Sequence, residues 1–204
     1  MGSWLAEMRE GSFVVPFYRH DLSSQDAGSV ATVLDTPFLT SGEVGRKVED
    51  QLCRFFDAPA ALLTNSWTNG ALTTFFALGV GPGDEVIVPA MTFISSANVI
   101  GMVGAKAVFV DVDPVTLLTD PDLVRKAVTP RTKAVIPVHL YGQLCDMPAL
   151  RAALADRPDI VIIEDAAHCF EGSREGYRPG AHGDVAIFSF YATKNVTCGE
   201  GGAI

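Results

Sequence analysis

The sequence predicts an α/β fold in which a mostly parallel sheet lies between two layers of helices. Short apolar runs, such as residues 85–88 and 160–163, alternate with segments whose apolar residues recur at helical spacing. Continuous apolar strands separated by helices are typical of parallel sheets covered on both faces. With 204 residues and 48% hydrophobic content, the chain is long enough for one sizeable core. We therefore expect one compact three-layer domain.

The elements follow one another regularly after a loosely patterned N-terminal stretch. Residues 40–43 are typical of a helix start, and apolar residues such as Val48 and Leu52 then recur at helical spacing. Asp120 is typical of a helix cap because Pro121 follows at the first helical position. The remaining predicted strands span residues 60–63, 85–88, 107–110, 134–138, 160–163 and 185–190, and the remaining predicted helices span 68–78, 92–102, 123–128 and 146–155.

Composition argues against several classes of protein. The formal net charge of -9, with no cluster of Lys or Arg, disfavours nucleic acid or an anionic membrane as the main partner. The four cysteines lack the close pairing of a zinc site, and we expect no metal. Met1 to Glu10 has no basic segment followed by an apolar core, and residues 97–110 are too short to cross a bilayer, which needs about 20 apolar residues. We expect a cytoplasmic protein outside the membrane.

The strongest chemical signal comes from two segments that each follow an apolar strand. Lys194 precedes a glycine-rich turn at residues 199–202, and Asp165 and His168 follow the strand at 160–163. Ligands of parallel sheets collect at the carboxyl ends of the strands. An amine can bond to the aldehyde of pyridoxal 5'-phosphate, and a carboxylate that faces the ring nitrogen keeps that nitrogen protonated. The plainer alternatives are a helix cap at Asp165, a solvated charge at Lys194 and a histidine that satisfies backbone groups.

Two further segments fit the same ligand. Ser66 and Thr68 join the first strand to a helix, where hydroxyls and free N–H groups can hold a phosphate or merely cap the helix. Phe93 follows the second strand and could stack on a planar ring or pack in the core. The glycine-rich residues 79–84 follow a helix and precede a strand, which is the reverse of a dinucleotide-binding fingerprint.

Motifs along most of the chain resemble the DegT/DnrJ/StrS family of sugar aminotransferases. They occur in order and in register from about Leu39 to Ile204. The motifs are residues 39–42, 79–87, 109–114, 129–134, 137–143, 164–168 and 188–195.

The resemblance implies the large domain of a fold-type I pyridoxal phosphate enzyme at residues 39–204, after an N-terminal segment of residues 1–38. Family members continue into a smaller C-terminal domain, so we expect this chain to be truncated before it. The implied reaction is transfer of an amino group, commonly from glutamate, to a nucleotide-linked keto sugar in polysaccharide or surface-glycan biosynthesis. The family resemblance also implies a homodimer in which the neighbouring subunit completes the active site.

Site residues are carried over from the family by position. Lys194 would be the catalytic residue, which holds the cofactor covalently and then moves a proton between a carbon of the substrate and a carbon of the cofactor. Asp165 would pair with the pyridine nitrogen, and His168 would lie near the phenolic oxygen. Phe93 matches the aromatic residue that stacks on the ring, and Trp67 departs from the usual Gly or Ala. The residues that match phosphate-contacting positions are Thr68, Asn69 and Ser189.

Two other functions remain open at this point. One is a sugar dehydratase of the same family. The resemblance implies that such dehydratases have a histidine at the position that matches Lys194. The other is a truncated cofactor-binding module without activity. The lysine at position 194 favours the aminotransferase.

Overall fold

In the computed structural model, which describes Pro16 and residues 18–204, helices and strands alternate along the chain. The strands are β1 (Leu63–Thr64), β2 (Glu85–Pro89), β3 (Lys106–Val110), β4 (Thr132–Val135), β5 (Val161–Asp165), β6 (Val185–Ser189) and β7 (Gly202–Ala203). The α-helices are α1 (Ser24–Leu34), α2 (Glu43–Phe56), α3 (Trp67–Leu78), α4 (Ile94–Met102), α5 (Pro121–Ala127) and α6 (Met147–Ala153). A 3₁₀ turn covers Leu140–Gly142.

The strands form one sheet in the order β1-β7-β6-β5-β4-β2-β3. From β3 to β6 all neighbouring strands are parallel, whereas β7 runs antiparallel to both β6 and β1. All five residues of β2 are buried, so both faces of the sheet are covered at this strand. Helix α3 packs against α4, and α5 packs against α6. The mostly parallel α/β sheet that the apolar strands predict is therefore confirmed.

Local sequence explains where the helices that border the sheet begin and end. Ser66 caps α3, since its Oγ accepts a hydrogen bond from the backbone N–H of Asn69 at 3.2 Å. Gly79 ends that helix with φ of 67°, a left-handed conformation that suits glycine. Asp120 caps α5 as the sequence predicts, because its side chain accepts from the N–H groups of Asp122 and Leu123.

Some boundaries differ from the prediction. The strand predicted at 60–63 is β1 at Leu63–Thr64, where Leu62 also exchanges two backbone hydrogen bonds of 2.9 Å with Ile204. The strand predicted at 134–138 is β4 at Thr132–Val135, although Val138 still bridges to Asp165. Helix α1 lies in the loosely patterned N-terminal stretch, where the sequence predicts no element, and none of its residues is buried. Met1 to Glu10 lies outside the described residues.

Within the described residues, no helix is long and apolar enough to span a membrane. Over the same ranges, His, Cys, Asp and Glu side chains form no group of three or more suited to bind a metal ion.

Candidate active site

A cavity of about 670 Å³ opens where β5 and β6 end and α3 begins. This is the edge of the sheet at which the topology of a parallel α/β fold places ligands. The structure brings most of the residues singled out in the sequence to its wall. Those that line the cavity are Thr68, Phe93, Asp165, His168, Ser189 and Lys194.

Asp165 ends strand β5 and is 5% exposed. Its Oδ2 accepts a hydrogen bond from the Ser96 hydroxyl at 3.0 Å, and its Oδ1 accepts from the N–H of Ala167 at 3.1 Å. Thr92 lies 2.9 Å from Ser96 and donates to it, since Ser96 gives its own proton to the carboxylate. Burial raises the pKa of Asp165, against the lowering effect of these donors and of the nearby positive charge of Lys194. The carboxylate is fixed in direction but lacks a full countercharge.

Lys194 lines the same cavity from the segment after strand β6 and is half-buried. Burial lowers the pKa of its ammonium group, and the charge of Asp165 offsets part of that effect. Each group therefore influences the ionisation of the other, as expected for two side chains that face one cavity. An amine with a lowered pKa is a better nucleophile near neutral pH.

His168 lies beside these two groups and stacks on Tyr141. The ring centroids are 5.5 Å apart and the planes are inclined by 15°. Burial, followed by the charge of Lys194, lowers the pKa of His168 and favours its neutral form. Tyr141 adopts a left-handed conformation with φ of 54°, which is uncommon for a residue with a Cβ, and its side chain is 71% exposed. A strained turn thus holds an exposed aromatic ring over the histidine.

The N-terminus of α3 forms another wall of the cavity. Ser66, Trp67 and Thr68 all line it, and the first N–H groups of a helix have no partner within that helix. Asn69 is not among the lining residues, because its Nδ2 donates to Asn65 Oδ1 at 2.7 Å and its backbone N–H is taken by the Ser66 cap. The predicted contact of Asn69 with a ligand therefore stays a prediction that the cavity geometry does not favour.

Phe93 and Ser189 complete the set. Phe93 immediately precedes α4 and is 69% exposed, which argues against the alternative of a core aromatic. Ser189 ends β6 and is partly buried. The two residues place an aromatic face and a hydroxyl on the wall of one cavity.

Sequence reasoning missed several residues of this site. Ser96, which orients Asp165, sits four residues after Thr92 on the start of an apolar helix, and that spacing was the available signal. Trp67 and Tyr18 also line the cavity. His139 follows a strand in the same way as the site residues but does not line the cavity. It is fully buried, and its Nδ1 accepts from the N–H of Cys145, so its Nε2 carries the proton and faces Glu164 Oε2 at 2.8 Å.

A second cavity of about 460 Å³ adjoins the first. The two share Tyr18, His168, Thr193 and Lys194 in their walls. The second is bordered by the exposed ring of Tyr141. The amine of Lys194 therefore stands between two spaces that are each large enough for part of a ligand.

The fold and the cavity define an α/β enzyme domain with an amine and a buried carboxylate in one cleft at the ends of parallel strands. The chain belongs to the DegT/DnrJ/EryC1/StrS aminotransferase family, whose family model matches residues 20–204. The sequence motifs of the resemblance begin at Leu39, and the family match begins 19 residues earlier, at residue 20. The fold is that of fold-type I pyridoxal phosphate aminotransferases, as the resemblance implies.

Solved structures support the same assignment. A protein named as a sugar aminotransferase, Spr1654 from Streptococcus pneumoniae, is 35% identical with a TM-score of 0.90 in its pyridoxamine phosphate form, over 94% of this chain. DesV of S. venezuelae is 40% identical over 88% of this chain, with a TM-score of 0.83. The dehydratase ColD, named as a GDP-4-keto-6-deoxymannose-3-dehydratase, is 26% identical over 93% of this chain, with a TM-score of 0.87. The chain spans about half of each protein, namely 52%, 48% and 50%.

Proposed function

We propose that this chain is the cofactor-binding part of a sugar aminotransferase that uses pyridoxal phosphate. The observation that carries the proposal is the placement of the Asp165 carboxylate and the Lys194 amine on the wall of one cavity. Pyridoxal phosphate is the cofactor indicated by family membership and by the pyridoxal and pyridoxamine phosphate forms of Spr1654. The finer assignment is transfer of an amino group from glutamate to a nucleotide-linked keto sugar.

The residues present fit this cofactor. The cavity offers an amine for the aldehyde, a buried anion for the ring nitrogen and a helix N-terminus for the phosphate. Phe93 offers a flat apolar face for the ring. When bound, pyridoxal phosphate accepts the electron pair released at the carbon of the amino acid that loses its proton.

The chain's own residues would act as follows. Lys194 would take the proton from the α-carbon of the amino acid and deliver it to the carbon that carried the cofactor's aldehyde, a task for which a lowered pKa suits it. Asp165 holds a positive charge at the ring nitrogen, and Ser96 fixes the direction of the carboxylate. His168, in its neutral form, can donate or accept a hydrogen bond beside the ring. Thr68 and Ser189 offer hydroxyls to the phosphate.

The second cavity supports the assignment of a second ligand. It shares the wall at Lys194, and the exposed ring of Tyr141 suits the apolar face of a sugar. A nucleotide-linked keto sugar would place its carbonyl carbon beside Lys194 in this space. The same proposal includes polysaccharide or surface-glycan biosynthesis as the purpose and the cytoplasm as the location.

A homodimer is part of the proposal. Large apolar side chains are exposed on α3, α4 and β3, and α4 packs against both of the others. They are Phe76, Ile94, Met102 and Phe109, with exposed fractions of 57% or more. An exposed apolar surface of this kind is typical of an interface with another subunit. We also retain the division into a segment of residues 1–38 and a cofactor-binding domain of residues 39–204.

Dehydration is the second candidate, because ColD is a relative of this chain. The amine at Lys194 favours amino transfer, since the implied dehydratase pattern has a histidine there. The other alternative is a cofactor-binding module without activity, which would release no 2-oxoglutarate when glutamate is added.

The experiment uses the full-length protein loaded with pyridoxal phosphate. Adding glutamate should bleach the absorbance of the bound aldehyde form and release one 2-oxoglutarate per site. Lys194→Arg should abolish both signals, whereas Lys126→Arg, at an exposed lysine of α5, should leave them unchanged. Bleaching that persists in Lys194→Arg would contradict the role of Lys194. Absence of bleaching in the unaltered protein would contradict transamination from glutamate.

A further inference from the structure

His139 and Glu164 form a buried pair of ionisable side chains that the proposed reaction does not use. Both residues are 0% exposed, and His139 Nε2 donates to Glu164 Oε2 at 2.8 Å. The same Oε2 accepts from the backbone N–H of Gly180 at 2.8 Å, and Oε1 accepts from the backbone N–H of Gly183. Three donors therefore fix the direction of the carboxylate, and the carboxylate keeps the proton of His139 on Nε2.

His139 fastens both ends of a turn at residues 140–145. Its backbone N–H donates to the carbonyl of Asp165 at 3.0 Å, which attaches the start of the turn to the end of β5. Its Nδ1 accepts from the backbone N–H of Cys145 at 3.1 Å, which attaches the end of the turn. Because Nδ1 can accept only while it carries no proton, the bond from Nε2 to Glu164 selects the tautomer that this turn needs.

The 140–145 turn contains an uncommon backbone conformation beside the candidate site. Tyr141 and Gly142 are both left-handed, with φ of 54° and 83°. Tyr141 has a Cβ, so this conformation costs free energy and persists where the surrounding structure imposes it. The ring of Tyr141 stacks on His168, whose side chain lines both cavities. The two attached ends of the turn therefore determine where this ring lies.

We propose that His139 and Glu164 are positioning residues for the 140–145 turn. They hold Tyr141 over His168 and so shape the second cavity, in which the amino acid and the keto sugar of the proposed function react in turn. Both ligands must bring their reacting carbon to Lys194, which lies on the wall that the two cavities share. Neither His139 nor Glu164 lines either cavity, so the pair acts through the turn. This inference rests on the proposed function.

Two variants of His139 each keep one of its two side-chain hydrogen bonds. In His139→Asn, Oδ1 replaces Nδ1 and can accept from Cys145, whereas in His139→Gln, Nε2 replaces the imidazole Nε2 and can donate to Glu164. The Cys145 amide of the full-length protein should exchange with deuterium about 10-fold faster or more in His139→Gln. In His139→Asn its exchange should stay within about threefold of the unaltered protein. Equal exchange rates in the two variants would overturn the assignment.

The stacking of Tyr141 on His168 gives a spectroscopic signature. An aromatic ring shields protons that lie over its face, so the imidazole C–H protons of His168 should resonate upfield, identified by their loss in His168→Gln. Tyr141→Leu should remove this shift, His139→Gln should reduce it and His139→Asn should restore it. A His168 signal that does not move in His139→Gln would overturn the positioning role.

A measurement on the unaltered protein keeps the proposal testable if His139→Gln does not fold. The ¹⁵N shifts of the His139 ring should show a proton on Nε2 and none on Nδ1. A proton on both nitrogens would overturn the proposal, because Nδ1 could then not accept from Cys145.

Single-turnover bleaching of the loaded full-length protein by glutamate links the turn to ligand binding. In His139→Gln the glutamate concentration for half-maximal rate should rise about 10-fold or more, with the limiting rate within about threefold, as expected when only binding is lost. His139→Asn should rescue the half-maximal concentration. If the unaltered protein bleaches but His139→Gln has the same half-maximal concentration, this inference fails while the proposed function stands. If the unaltered protein does not bleach although its His168 signal shows the stacking, the proposed function itself fails.

Discussion

Asp165→Asn separates the charge of the site carboxylate from its hydrogen bonds. The asparagine oxygen can still accept from the N–H of Ala167, and its amide group can donate to Ser96 Oγ. Ser96 can then turn its own proton toward Thr92, which lies 2.9 Å away. The cavity wall therefore keeps its geometry, and the change removes a buried negative charge.

The expected loss of activity follows from burial. Asp165 is 5% exposed, so a cation at the ring nitrogen would be left without its buried partner. Breaking a buried ion pair in this way costs about 3–5 kcal/mol. If this free-energy cost is added to the activation free energy, the rate decreases by roughly 10²- to 10⁴-fold. The assay is release of 2-oxoglutarate from glutamate in a single turnover by the full-length protein, and Asp156→Asn at the exposed Arg125 ion pair is the control that should retain full activity.

The same variant should stabilise the protein when it holds no cofactor. Burial raises the pKa of Asp165, so the charged carboxylate disfavours the folded state at pH above its unfolded value near 3.8. Asp165→Asn should raise the midpoint of thermal unfolding at pH 7, and the difference should vanish below about pH 3.8, where both states hold a neutral carboxyl. Activity within threefold of the unaltered protein, or a lower midpoint at pH 7, would refute the reasoning.

Three further predictions concern acid stability, the turn behind α3 and the reactive amine. A hydrogen bond from the Thr129 hydroxyl, together with neighbouring cations, lowers the pKa of the buried Glu85 from 4.5 to about 2. The midpoint of thermal unfolding should therefore fall as the pH drops from 4.5 to 2, because the carboxylate is protonated in that interval. Glu85→Gln should make the midpoint depend less on pH over the same interval. Gly202→Ala should cost about 1–3 kcal/mol of unfolding free energy in urea titrations, because backbone atoms meet the new Cβ at under 3 Å, whereas Gly28→Ala, which meets nothing within 4 Å, should not destabilise. The rate at which apo-protein bonds pyridoxal phosphate should level off below pH 10.5 in stopped-flow absorbance, because burial lowers the pKa of Lys194; levelling at or above 10.5 would contradict it.

The parts of the site that the sequence could predict depend on topology. Asp165 and Ser189 end parallel strands, and parallel strands end at one edge of a sheet. The apolar runs that mark these strands were therefore enough to predict that both residues lie near Lys194, and all three line one cavity. Helix α1 escaped prediction because none of its residues is buried, and the capping serine at Ser23 is a weak signal without an apolar stripe.

Other parts depend on three-dimensional packing that no local pattern records. Ser96 contacts Asp165 across 69 residues of sequence. Its four-residue spacing from Thr92 places two hydroxyls near each other but does not indicate which distant side chain they contact. Asn69 follows the helix start in the way a phosphate contact would, yet its side chain turns to Asn65.

The identity of the lysine that bonds to the cofactor tests the account most directly. Full-length protein loaded with pyridoxal phosphate would be reduced with borohydride, digested and analysed by mass spectrometry. We predict that the phosphopyridoxyl group is found on Lys194. Labelling of Lys47, Lys106, Lys126 or Lys133 in its place would contradict the assignment of the active site.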